Sequence, residues 1–229
     1  MGPARQAGRF RTLRRIVGTL SPPIHRLLAQ DLAALVTGLL DAAVARWAAD
    51  GWTRFNDHET NCTIQVFRWA QETLRLQPEF SVFTVTLESV SPTRRMLLGQ
   101  DSAASMRRPD LRISLGLEAK LMVECKRLSL DSSHPAEYVH EGMYRFVTGA
   151  YAPMDTLGAM MGYIIADEPT AIANAINTQI DAHDGMGTSH RLEVGTVLSA
   201  IPFHYKSSHV RMARSQIELA HLWIDLRPN

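Results

Sequence analysis

Asp110, Glu124 and Lys126 are the residues whose types and spacing point most directly to chemistry. They lie in the stretch 107–127, RRPDLRISLGLEAKLMVECKR, which reads as two short strands joined by a tight turn. A strand period of two puts Met122, Glu124 and Lys126 on one side of the second strand and Leu121, Val123 and Cys125 on the other. In the strand before it, Asp110, Arg112 and Ser114 share a face, and Leu111, Ile113 and Leu115 share the opposite one. Gly116-Leu117-Glu118 makes a three-residue hairpin loop, with glycine supplying the unusual dihedral. That turn sets Ser114 against Lys120, Arg112 against Met122, and Asp110 against Glu124. Directly opposed residues in an antiparallel pair stand about 4.5–5.5 Å apart. Two carboxylates held that close repel each other unless a cation or a proton sits between them. Lys126 lies one pleat further along the same face.

The flanking elements must position these groups. Ser21-Pro22-Pro23 opens a helix, with Ser21 as its cap, that runs to about residue 50. Leu28, Leu32, Leu35, Leu39 and Trp47 recur in it at helical spacing, and Gly51 ends it. Asn56-Asp57 caps a second helix over 58–76 that carries Glu59 in its first turn, where the helix dipole favours a carboxylate. Residues 80–90 are β-branched and aromatic, so a strand. Residues 91–106 form a polar connection, and the hairpin follows. A loop over 128–136 leads to a helix over 136–151. The nearly all-apolar stretch 158–166 reads as a buried strand. Pro169 opens a helix over 170–183, and strands over 193–203 and 220–226 end the chain. The pattern implies an α/β fold: a mixed central β-sheet flanked by helices, preceded by a helical extension. Residues 1–55 form a basic arm and that extension; residues 56–229 form the main domain.

Pro109-Asp110, followed by Glu124-Cys125-Lys126 on an apolar strand, resembles the PD-(D/E)XK, or restriction-endonuclease-like, nuclease superfamily. The surrounding order also resembles that family's core: a helix with an early glutamate, three strands, a helix and a strand, over roughly residues 57–166. The resemblance implies a metal-dependent endonuclease hydrolysing phosphodiester bonds in nucleic acid, DNA ahead of RNA. It implies Mg²⁺, with Mn²⁺ able to substitute, held by Asp110 and Glu124, with the Cys125 main-chain carbonyl as a third ligand. Magnesium is a hard ion that prefers oxygen ligands. It would neutralise phosphate charge and lower the pKa of a bound water. Lys126 would orient or deprotonate that water, or stabilise charge developing on phosphorus. Glu59 matches the acid many members carry on the first core helix, often as a metal ligand; Asp57 is its rival. Arg145 or Tyr144, on the helix after the motif, could touch the phosphate backbone; the alternative is a solvated Arg145. Arg107, Arg108, Arg112 and Arg127 are further nucleic-acid contacts. On the same resemblance the chain belongs to anti-phage defence or restriction. Control would come from a partner protein, such as an ATPase, a helicase or a regulatory subunit, or from a homo-oligomer. The alternatives are a catalytically silent binding module and a scaffold subunit of the same fold.

Whole-chain properties set the bounds. The 229 residues carry a net charge of +1 and are 45% hydrophobic, enough for a sizeable core and against disorder. Arginines cluster locally, at Arg5, Arg9, Arg11, Arg14 and Arg15 and again at Arg94, Arg95, Arg107, Arg108 and Arg112, and such clusters bind phosphates even in a near-neutral chain. Two cysteines without a CxxC argue against structural zinc and against a disulfide framework, which suits a cytoplasmic protein. The N-terminus lacks a signal-peptide pattern and no run of eighteen apolar residues occurs, so no membrane span is expected. HExxH, GxxxxGK[ST] and GxSxG are all missing, which removes zincin, P-loop and hydrolase-elbow chemistry.

Overall fold

The computed structural model describes residues 22–87, 109–115, 119–131, 133–211 and 215–227, with side chains of the first helix from Leu32 onward. The arginine clusters, apart from Arg112, lie outside these residues, as do the Ser21 cap and the 116–118 turn.

Helices α1 (Pro22–Ala49) and α2 (Glu59–Leu76) are followed by three strands, β1 (Phe83–Leu87), β2 (Leu111–Leu115) and β3 (Ala119–Leu128). A composite helix comes next: α3 (His134–Glu137), a π-helical turn (Tyr138–Met143) and α4 (Tyr144–Val147). Then come β4 (Leu157–Ile164), α5 (Pro169–Ala182), the two-residue β5 (Glu193–Val194), β6 (Phe203–Val210) and β7 (Gln216–Asp225). Among the described residues the strands form one mixed sheet of seven in the order β1-β2-β3-β4-β7-β6-β5. β3, β4 and β7 run parallel, and the strands outside them pair antiparallel.

Each face of the sheet has its own core, as strand alternation requires. On one face, Val36, Leu39, Leu40, Val44 and Trp47 of α1 and Cys62, Val66 and Ala70 of α2 pack on Ile113, Val123, Cys125, Met161 and Tyr163. On the other, Tyr138, Met143 and Phe146 of the composite helix and Ile172, Ile176 and Ile180 of α5 cover Met122, Leu128, Met160 and Trp223. Residues Leu32–Ala49 of α1 are long and apolar enough, by length and composition, to cross a membrane. One side of that helix is buried in the first core, which is the behaviour of a core helix and compatible with a soluble protein.

Two expectations change. The strand expected over 193–203 stops after Val194. The amides of Ser199, Ala200 and Ile201 instead donate to the Asp41 carboxylate of α1, at 3.2, 2.7 and 2.9 Å, so this backbone is satisfied without a ladder. The strand lies at 203–210, where no apolar alternation marks it because its buried positions include Ser207 and His209. A continuous hydrogen-bonded chain makes that burial tolerable. It runs from His190 to His209 (2.7 Å), to Ser207 (2.7 Å), to His221 (2.8 Å), to Tyr138 (2.8 Å), where Trp223 donates its indole N–H (3.0 Å). The neutral imidazoles of His209 and His221 can each serve once as donor and once as acceptor, with His190 ending the chain.

The cap of α2 also differs from expectation. His58 occupies the cap position, and Asn56 Oδ1 accepts from the His58 amide at 2.9 Å, an Asx turn one step earlier. Asp57 pairs with Arg54 instead.

Candidate functional site

The hairpin register is the one that alternation predicts: Leu111 opposite Val123, Arg112 opposite Met122, Ser114 opposite Lys120. Continuing it one residue places Asp110 across from Glu124. Asp110 sits just before β2 behind a buried Pro109, and its Oδ2 accepts the Cys125 amide N–H at 2.7 Å. Glu124 and Lys126 point to the composite-helix face, where they are 1% and 8% exposed. Lys126 Nζ donates to Glu124 Oε1 at 3.0 Å and to Glu59 Oε1 at 3.3 Å. Glu59, the first residue of α2, thus reaches the same ammonium from the other helical layer. Asp110, Glu124, Lys126 and Glu59 are therefore neighbours, although they are drawn from two elements and a loop.

Arg145 joins them. Its Nη1 lies 2.5 Å from Glu124 Oε1 and donates to Tyr151 OH at 3.1 Å. The helix bearing it is interrupted by the π turn, a feature frequent at functional sites. Gly142, within that turn, lets β4 approach: a Cβ there would fall 2.3 Å from Met160 Cε, and 3.8 Å from Lys126 Cγ.

Electrostatics follow from burial. Loss of solvent pushes the Glu124 carboxyl up to about 7, against the pull of Lys126 and with the added push of Asp110. Burial likewise raises Asp110, opposed by the hydrogen bond from Cys125. Burial disfavours the Lys126 ammonium, but Glu124 and then Glu59 outweigh it and hold Lys126 above its ordinary value. The Cys125 thiol faces the opposite layer and is fully buried, and burial holds it well above its usual value, so it is no nucleophile.

Among the described residues, no three His, Cys, Asp or Glu side chains form a ready metal cage. The acids here are interleaved with Lys126. The fit to a hard cation rests on one atom: Glu124 Oε2 is buried and has no hydrogen-bond partner, while Oε1 carries both cations. A buried polar atom left unpaired costs about 1–3 kcal/mol, more for a charged group. Asp110 and Glu124 supply oxygen from two carboxylates, as many as a Mg²⁺ ion that keeps its waters commonly takes from protein.

The expected nucleic-acid contacts divide. Arg107 and Arg108 lie outside the described residues. Arg112 is half-buried on the site's face of β2, while Arg127 is half-buried on the opposite face of β3. Tyr144 packs against His183, with ring centroids 4.3 Å apart and the planes tilted by 49°. Arg145 is engaged with Glu124. Tyr151 belongs to the site and no sequence signal marked it. Compared with protein-family models, with curated proteins and with solved structures, the chain matches none.

Proposed function

We propose that this chain is a divalent-cation-dependent phosphodiesterase that cuts nucleic acid, DNA ahead of RNA, as members of the PD-(D/E)XK superfamily do. One observation carries the reading: Asp110, just before β2, is hydrogen-bonded to the Cys125 amide beside Glu124, with Lys126 on Glu124 and a buried, unpartnered Glu124 Oε2. The element order supports it. α2 bearing Glu59, three antiparallel strands, a helix, and β4 parallel to β3 follow the order that the resemblance implies.

Asp110, Glu124 and the Cys125 carbonyl would hold Mg²⁺ or Mn²⁺, with Glu59 reaching the site through Lys126. A bound ion would supply charge neutralisation at phosphate and a water acidic enough to lose its proton and become the nucleophile. The protein's own part is positional. Cys125 N–H fixes Asp110, and the buried strand β3 fixes Glu124 and Lys126 on one face. The Lys126 ammonium, kept charged by its two carboxylates, would hold the attacking water or the charge growing on a phosphoryl oxygen. Regulation by a partner protein or by self-association, and a role in restriction or anti-phage defence inside the cytoplasm, belong to the same proposal.

The test is cleavage. Plasmid, single-stranded DNA and RNA are incubated with the protein in Mg²⁺ or Mn²⁺, beside Lys126→Ala. Cutting by the wild type and none by the variant is expected. If neither ion supports cleavage and the two proteins behave alike, the enzyme reading fails. Retained binding without cutting would then favour the silent module.

A further inference from the structure

Glu124 is gripped by one oxygen only. Lys126 and Arg145 both reach Oε1, and Oε2 has no partner. Arg145 is itself held from behind. Its guanidinium donates to Tyr151 OH and lies over the Tyr151 ring, 5.7 Å from the centroid, and the Tyr151 amide donates to the Arg145 carbonyl at 3.0 Å. The turn that carries Tyr151 is stapled by the buried Arg211. Its guanidinium donates to the carbonyls of Phe146 (3.0 Å), Ala152 (2.8 Å), Pro153 (3.1 Å) and Asp155 (3.0 Å).

We propose that Arg145 is a positioning residue for Glu124, pinning it through Oε1 so that Oε2 is the oxygen offered to a divalent cation. Tyr151 and the Arg211-stapled turn hold Arg145 in that role. The inference rests on the proposed function and moves Arg145 from the phosphate backbone to the metal-binding carboxylate. A carboxylate's last torsion is broad and two-fold, so an unpinned Glu124 would present either oxygen in many orientations. Fixing one oxygen removes that freedom before the cation arrives. Partners that orient a metal ligand in this way typically change affinity by about 10–100-fold when mutated.

A rival role predicts the opposite sign. If Arg145 only neutralised Glu124, removing its charge would make the site more negative and tighten cation binding. Mn²⁺ binding to the intact protein, followed by the loss of the free-ion paramagnetic resonance signal, separates the two. Wild type, Arg145→Ala, Arg145→Lys and Tyr151→Phe are compared, with thermal melts of the metal-free proteins alongside. Weaker Mn²⁺ binding by about tenfold or more in Arg145→Ala is expected, with Arg145→Lys also weakened because a lysine ammonium ends one bond short of Nη1, the nitrogen that makes both contacts. Tyr151→Phe should weaken binding less. Unchanged or tighter binding in the Arg145 variants overturns the inference. Should Arg145→Ala fail to fold, wild-type affinity in both Arg145→Lys and Tyr151→Phe overturns it equally. No Mn²⁺ binding by the wild type would instead bring down the proposed function itself, and this inference with it.

Discussion

The backbone N–H of Cys125 donates to Asp110 Oδ2 at 2.7 Å, so the carboxylate that opens β2 is tied to the residue between Glu124 and Lys126. This bond makes Asp110 both a structural clasp and a candidate ligand. Two substitutions separate those roles. Asp110→Asn keeps an acceptor for the Cys125 amide, so its melting temperature should stay near wild type while cleavage is lost. Asp110→Ala leaves that amide unpaired and should lose about 1–3 kcal/mol in urea denaturation as well. An Asp110→Asn protein that cuts like wild type would remove Asp110 from the site.

Arg211 is a buried cation whose partners are main-chain carbonyls. Lysine has three donors on a flexible stem and cannot reproduce a fork that serves four acceptors. Arg211→Lys should therefore cost roughly 2 kcal/mol or more and open the 148–156 turn to limited proteolysis. A variant equal to wild type in both assays would show that the staple is dispensable.

Two glycines should respond differently to alanine. At Gly162 a Cβ would fall 2.3 Å from Leu128 Cδ1 and 2.6 Å from Trp223 Cδ1, within a packed layer. Gly162→Ala should destabilise by about 1–3 kcal/mol through overpacking. At Gly142 the nearest clash is the mobile end of Met160, so Gly142→Ala should cost less than about 1 kcal/mol. Chemical denaturation of both variants checks the order, and a reversed order would contradict this packing.

The buried histidine chain makes stability depend on pH. Burial drives His209 down to about 3, and it drives His221 well below its ordinary value. Nearby Arg211, and His190 when protonated, also disfavour a charged His209. Between the unfolded value near 6.5 and the folded value, the unfolded chain binds the proton and the native chain does not. Stability is thus complete above about pH 6.5 and declines as pH falls toward 3, by roughly 3–5 kcal/mol for His209. Melting temperatures from pH 7 to 4 should fall more steeply for wild type than for His209→Gln. Parallel curves would mean that His209 is not buried neutral.

Much of the site was legible in the chain because strand alternation is local. Period two alone puts Glu124 and Lys126 on one face and Cys125 on the other, and the hairpin register brings Asp110 across from Glu124. The helices α1, α2 and α5 were legible for the same kind of reason, since apolar residues at helical spacing need only their own neighbours to be recognised. β6 was not, because its inward positions are Ser207 and His209. Only partners on β7 and the composite helix, His221 and Tyr138, make them acceptable in a core. The pairing of Arg145 and Tyr151 with Glu124 is not legible for a related reason. Nothing nearby in sequence says that a guanidinium on a helix will turn inward to a carboxylate on β3, 21 residues away. By itself the sequence determined which residues share a face. The tertiary structure decided which oxygen of Glu124 is occupied and which is free, because that depends on side chains converging from separate layers of the fold.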